Sequence, residues 1–161
     1  MRTLILGLGN PILGDDGIGI YTAKVLRDRL KGVAEVDVKE LSVGGLRIFE
    51  EIIGYDRVIL IDAIITGRGA AGEVYRFTPK DFDNTLHLSS PHDINFTTAL
   101  ELGRVYAQEE TPKEVVIYAI EVKENLTFTE DLSAEVRAGG LRVAEMILEE
   151  LKKPIYANRG G

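Results

Sequence analysis

The chain has no cysteine among its 161 residues. Disulfides, thiolate metal sites and a cysteine nucleophile are thereby excluded. Only two histidines are present, His87 and His92, and there is no Gly-x-Ser-x-Gly segment, so a serine hydrolase lacks its usual parts. Basic side chains are in deficit: 19 Lys and Arg face 26 Asp and Glu, for a net charge of −7. Phosphate backbones are bound mainly through Lys and Arg, so no nucleic-acid partner is expected. The acidic excess reads more simply as an aid to solubility. No apolar run approaches the ~18 to 20 residues of a membrane span. The opening Met1-Arg2-Thr3-Leu4-Ile5-Leu6 is too short for a signal peptide and lacks a cleavage site, so it reads as a first strand. No membrane association and a cytoplasmic location are expected.

What remains is ordinary globular material, 45% apolar and 28% charged. Its length fits one domain spanning 1–161, large enough to bury roughly two thirds of its unfolded surface. Apolar runs alternate with helical patterns. Strands are expected at 3–8, 34–41, 57–62, 73–78 and 115–120. The first is a short buried run, and the third, Val58-Ile59-Leu60-Ile61-Asp62, has the near-continuous apolarity of a central strand covered on both faces. Residues 73–78 alternate like an edge strand. Between the strands, Ile18, Tyr21, Val25 and Leu26 recur at helical spacing, predicting a helix over about 17–31. Gly44-Gly45 opens a second helix, Ser90-Pro91-His92-Asp93 starts a third that runs to about 107, and the last covers about 131–152. Gly139-Gly140 within it is expected to let that helix approach the sheet, and the tail from 154 to 161 is expected to fray. The expected architecture is α/β, a three-layer sandwich with a five-stranded, mostly parallel twisted sheet and helices on both faces.

Two aspartates stand out because they fall where the chain should be apolar. Asp16 lies in the loop Gly7-Leu8-Gly9-Asn10-Pro11-Ile12-Leu13-Gly14-Asp15-Asp16-Gly17, and Asp62 ends the third apolar run. An ionised carboxylate near a core is costly unless it is paired or holds a metal. Both sit at the carboxyl ends of strands, the edge where open α/β sheets bind ligands. The loop is not a nucleotide cradle. Its glycines have the wrong spacing, it lacks the Lys-Ser/Thr ending, and Asp15-Asp16 would repel a phosphate. One of that pair is expected to cap the helix that follows, and Asn10 to tie the loop to its own backbone. His92, at the positive end of a helix, is expected to stay neutral and able to coordinate. His87 is a weaker candidate, and Asp93 reads as a cap.

Asp16, Asp62 and His92 together supply oxygen and nitrogen donors with positions left open, a set that suits nickel, zinc or cobalt. A structural zinc site would be closed by four ligands. Three therefore point to an exchangeable metal or to one brought by another molecule. An acid/base pair of Asp16 and Asp62 is the second reading.

Gly7-x-Gly9-Asn10 followed by Asp15-Asp16-Gly17-x-Gly19, then Asp62-Ala63 and Ser90-Pro91-His92, resembles the nickel–iron hydrogenase maturation endopeptidases along nearly the whole chain. The resemblance implies a phosphorylase/hydrolase-like fold and an enzyme that removes a C-terminal extension from the hydrogenase large-subunit precursor after nickel insertion. It implies that Asp16, Asp62 and His92 are both the metal-binding and the catalytic residues. It further implies that nickel is presented by the substrate, with no tightly bound cofactor of the enzyme's own; a monomer is expected. One departure is the segment Glu40-Leu41-Ser42-Val43-Gly44-Gly45, where the family often has an acid followed directly by Gly-Gly-Thr. Two alternatives remain: a non-catalytic nickel-binding chaperone, and a peptidyl-tRNA hydrolase-like enzyme, suggested by Gly7-Leu8-Gly9-Asn10-Pro11. The second lacks the histidine such enzymes carry about ten residues further on.

Overall fold

The computed structural model describes residues 1–42, 46–83, 100–123 and 127–153. Five strands, Thr3–Leu8 (β1), Val36–Leu41 (β2), Arg57–Ile64 (β3), Val74–Phe77 (β4) and Glu114–Glu121 (β5), form one sheet in the order β2-β1-β3-β5-β4. The first four of that order run parallel, and β4 pairs antiparallel with β5 at the edge. Every residue of β1 and β3 is buried, as is β5 after Glu114. Such strands are apolar throughout because each face must meet a layer of helices.

Those helices are Ile18–Arg29 (α1), Leu46–Ile52 (α2), the short Pro79–Asp83 (α3), a helical stretch at 100–106 (α4) and Ala134–Lys152 (α5). Alternate strand residues divide the core into two layers. Leu4, Leu6, Val58 and Leu60 meet Ile48, Ile52 and Leu100 on the α2 and α4 side. Ile5, Ile59 and Ile61 meet Ile18, Leu26, Val143 and Ile147 on the α1 and α5 side. The expected three-layer α/β sandwich is therefore the observed architecture.

Three details differ from expectation. β3 continues two residues past Asp62, because Ala63 and Ile64 pair with Ile120 and Glu121; the carboxylate interrupts the apolar run without ending the strand. The last helix begins at Ala134, and its Gly139 and Gly140 approach other partners than the sheet. A β-carbon on Gly139 would lie 2.5 Å from the Gly72 carbonyl oxygen, and one on Gly140 would lie 2.6 Å from the Thr22 hydroxyl. The pair brings α5 against the 65–72 loop and α1. The tail beyond residue 153 lies outside the described residues.

A buried ionic group fastens α5 across the sheet. Arg57, at the head of β3 and 7% exposed, donates from Nη2 to Glu150 Oε1 at 2.7 Å, and its Nε lies 3.3 Å from Glu114 Oε1. Arg76 reaches the same Glu150 oxygen at 2.6 Å, and the Tyr118 hydroxyl donates to Glu150 Oε2. Burial, reinforced by the anionic partner, pushes the Tyr118 phenol up to about 12. Burial also raises the Glu150 carboxyl, but hydrogen bonds from Arg76 and Tyr118 outweigh it and hold Glu150 below the usual range.

Candidate active site

The loop after β1 is shaped by close approaches. Gly9 adopts φ +144, in the region glycine favours, with the Asp16 carbonyl packed where a β-carbon would sit. Asp16, half-buried in the turn of 3-10 helix Gly14–Gly17, accepts the Asn10 amide N–H at 2.9 Å through Oδ2. Asn10 in turn accepts the Ile12 N–H through its side-chain oxygen at 3.2 Å and the Leu13 N–H through its carbonyl at 3.2 Å. The expected role of Asn10, tying the loop to its own backbone, is the observed one.

The capping expectation is corrected. Neither Asp15 nor Asp16 makes a side-chain cap to α1. Asp15 instead receives the Ser133 N–H at 2.7 Å and the Ser133 hydroxyl at 2.9 Å. It thus closes the head of α5, where its negative charge also meets the positive end of the helix. A second tie reinforces this one. Thr129 donates its N–H to Ile12 O at 2.9 Å and accepts from Gly14 N at 2.7 Å, making a parallel bridge between Leu13 and Thr129. The loop after β1 is thereby latched to the segment that follows β5.

Asp62 is 3% exposed on a strand that is otherwise apolar after Arg57. Its Oδ1 accepts the Ala63 N–H at 2.8 Å. Alternation places it with Val58 and Leu60 on the α2 side of the sheet. The last β1–β3 pair is Gly7 with Ile61, so Asp62 lies one residue beyond it, at the carboxyl edge where the pairing with β1 has ended. α1 is seated at the same place. A β-carbon on Gly19 would lie 2.2 Å from Leu8 O and 2.4 Å from Ile61 O. The 3-10 turn ahead of Gly19 packs against β3. Asp16 and Asp62 therefore share one edge of the sheet, one on the loop into α1 and the other on β3.

His92, His87 and Asp93 lie outside the described residues, as do 43–45 of the departing segment. Glu40 is described: its carboxylate accepts Arg27 Nη1 at 2.7 Å, which joins β2 to α1. Among the described residues no group of three or more His, Cys, Asp or Glu could hold a metal ion.

Sequence reasoning missed Glu121, 1% exposed at the end of β5. Its carboxylate accepts the N–H groups of Thr66 at 2.8 Å and Gly69 at 3.0 Å, and the hydroxyls of Thr66 and of Tyr75, the latter at 3.3 Å. Burial raises its carboxyl, yet these donors prevail and hold it low. Glu121 braces the loop after β3. The one available signal was an acid closing the apolar run of residues 115–120, the same feature that marked Asp62. A cavity of about 550 Å³, lined by Leu30, Val36, Arg57, Leu148 and Lys153 among others, lies at the opposite, amino edge of the sheet and away from both aspartates.

A family model described as "HycI: Hydrogenase maturation protease" matches residues 20–150. The chain belongs to this hydrogenase maturation protease family. It is 26% identical over 157 residues to the hydrogenase 2 maturation protease of Escherichia coli K12, covering 95% of this chain and 92% of that protein. Among solved structures it resembles the hydrogenase maturating endopeptidase HybD from E. coli, with a TM-score of 0.79 and 26% identity over 94% of this chain and 92% of that one. It also resembles the [NiFe] hydrogenase maturation protease HybD from Thermococcus kodakarensis, with a TM-score of 0.76 and 29% identity over 95% of this chain and all of that one. This maturation protease is thus an endopeptidase that processes the C-terminus of a hydrogenase large subunit, which decides against the peptidyl-tRNA hydrolase resemblance. The matched span contains Asp62 and His92 and begins after Asp16. No described helix of the protease is long and apolar enough to cross a membrane.

Proposed function

We propose that the enzyme removes the C-terminal extension of a nickel–iron hydrogenase large-subunit precursor once nickel is in place, and that the nickel belongs to the substrate. Asp16, Asp62 and His92 complete the coordination of that nickel and fix the scissile peptide beside it. The observation that carries this reading is the carboxylate of Asp62, 3% exposed in an apolar strand, at the sheet edge that also holds Asp16. The open carboxyl edge is where α/β sheets receive ligands. The residue types supply hard oxygen and borderline nitrogen donors, which fit nickel. A divalent cation there can polarise the scissile carbonyl or activate a water, and either use needs the same three side chains around it. Water adds to the carbonyl carbon, the C–N bond breaks, and the departing amine takes the proton. The enzyme works as a cytoplasmic monomer, on protein and not on nucleic acid.

The test incubates the purified protein with nickel-loaded and nickel-free precursor and reads the mass of the large subunit. Loss of the C-terminal peptide only with nickel is expected. Cleavage at equal rates with and without nickel refutes the reading, and a stable complex without cleavage points to a nickel-binding chaperone instead.

A further inference from the structure

We infer that Ile12 and Phe128 form a docking surface that receives apolar side chains of the precursor next to its scissile segment. This inference rests on the reading of the Asp16–Asp62 edge as the place of cleavage. Large apolar side chains left in water are ordinary when scattered singly, but grouped and rigidly held they mark interaction sites. Phe128 is 79% exposed and Ile12 is 49% exposed. They are not scattered. The Leu13–Thr129 bridge sets their two segments side by side, so Ile12 and Phe128, each one residue before a bridged position, are neighbours across the latch. The hydrogen bonds of Thr129 to Ile12 and Gly14 hold both backbones, which keeps the ordering cost of binding low.

Position gives the pair its partner. Ile12 belongs to the Asn10–Asp16 loop, four residues before Asp16 and tied to it through Asn10. A third exposed apolar residue, Ile65 at 47%, follows Asp62 by three positions on the next loop of the same edge. The enzyme's established substrate is a polypeptide, and a polypeptide whose scissile bond reaches Asp16 comes within a few residues of Ile12 on the same tied loop. Apolar residues flanking the bond are the fitting occupants, because neither Ile12 nor Phe128 offers a charge or a side-chain hydrogen bond. The exposed Tyr106 lies elsewhere. It ends α4 just before Gln108–Glu110, and Glu110 accepts the Gly54 N–H ahead of β3, near the amino edge of the sheet.

The experiment measures cleavage of nickel-loaded precursor by the full-length enzyme carrying Ile12→Ser with Phe128→Ser, with Tyr106→Ser as a control. KM is expected to rise about tenfold or more, as loss of two apolar contact residues does, while kcat stays within about twofold. The urea midpoint should not move, and the control should match the parent. The same pair placed in an Asp62→Asn background should weaken binding of uncleaved precursor by a similar factor. An unchanged KM in the double variant overturns the docking surface. Normal cleavage by Asp62→Asn alone overturns the reading of the edge instead, and the KM comparison still reports on Ile12 and Phe128.

Discussion

Gly19→Ala tests the geometry of the site without touching any candidate ligand. The new β-carbon would meet Leu8 O at 2.2 Å and Ile61 O at 2.4 Å, both backbone atoms of central strands. Neither can swing aside as a side chain could. Moving from 2.2 Å to an ordinary contact of 3.4 Å requires the head of α1 to retreat by about 1.2 Å. Overpacking of this kind costs about 3 kcal/mol at the upper end of its range. Alanine favours a helix over glycine by at most about 1 kcal/mol, so the clash prevails and a net loss of about 2 kcal/mol is expected. In a chain of this length that lowers the melting temperature by roughly 4 to 8 °C. The larger consequence is functional. Asp16 sits three residues ahead of Gly19 and moves with it, while Asp62 stays on β3. A displacement of about 1 Å within a catalytic constellation costs about a hundredfold in rate. Calorimetry and precursor cleavage at a temperature where the variant remains folded separate the two effects. A Gly19→Ala protein that melts with the parent and cleaves at the parent rate refutes the claim that this contact sets the spacing of the two aspartates.

Asp16→Asn, Asp62→Asn and His92→Ala should each fold, by circular dichroism, yet leave nickel-loaded precursor uncleaved by mass; normal cleavage removes that residue from the proposed site. Asp15→Ala should lower stability by about 2 kcal/mol, the worth of its charge-assisted bonds to Ser133, as a shifted urea midpoint; no shift means the latch to α5 carries nothing. Tyr118 gives a pH signature. Its folded pKa stands near 12 against 10 unfolded, so its contribution is full below pH 10 and fades as pH rises through 12. That contribution is worth at most about 2.7 kcal/mol. The gap in unfolding free energy between the parent and Tyr118→Phe should shrink by that order between pH 9 and 12, and a constant gap contradicts the assignment. Glu150, held low, acts in the opposite direction: its contribution is present above pH 4.5 and is lost on acidification.

The central strands were readable because burial on both faces leaves a plain mark, an unbroken apolar run such as Val58-Ile59-Leu60-Ile61. Asp62 was readable for the converse reason, as a charge inside such a run. What sequence could not convey was pairing between distant segments. Asp15 looked like a cap for the helix beside it, and its partner proved to be Ser133, brought close only by the sheet. Gly139 and Gly140 promised close packing correctly, but whether the neighbour was the sheet or α1 depended on where α5 crosses. Glu121 carried the same signature as Asp62, yet its donors come from the Thr66–Gly69 loop and β4. Nothing local distinguished a brace from a ligand.

The latch between Leu13 and Thr129 has a bearing on how the molecule comes into being. The loop that carries Asp16 and the segment that pins it lie on opposite sides of the whole sheet in chain order, with every strand from β2 to β5 between them. Contacts so far apart along a chain form late, because most of the polymer must already be ordered to bring them together. A copy in which this latch has not yet closed therefore has its aspartates without the frame that aims them, and competence for cleavage waits on a contact between distant parts of the chain.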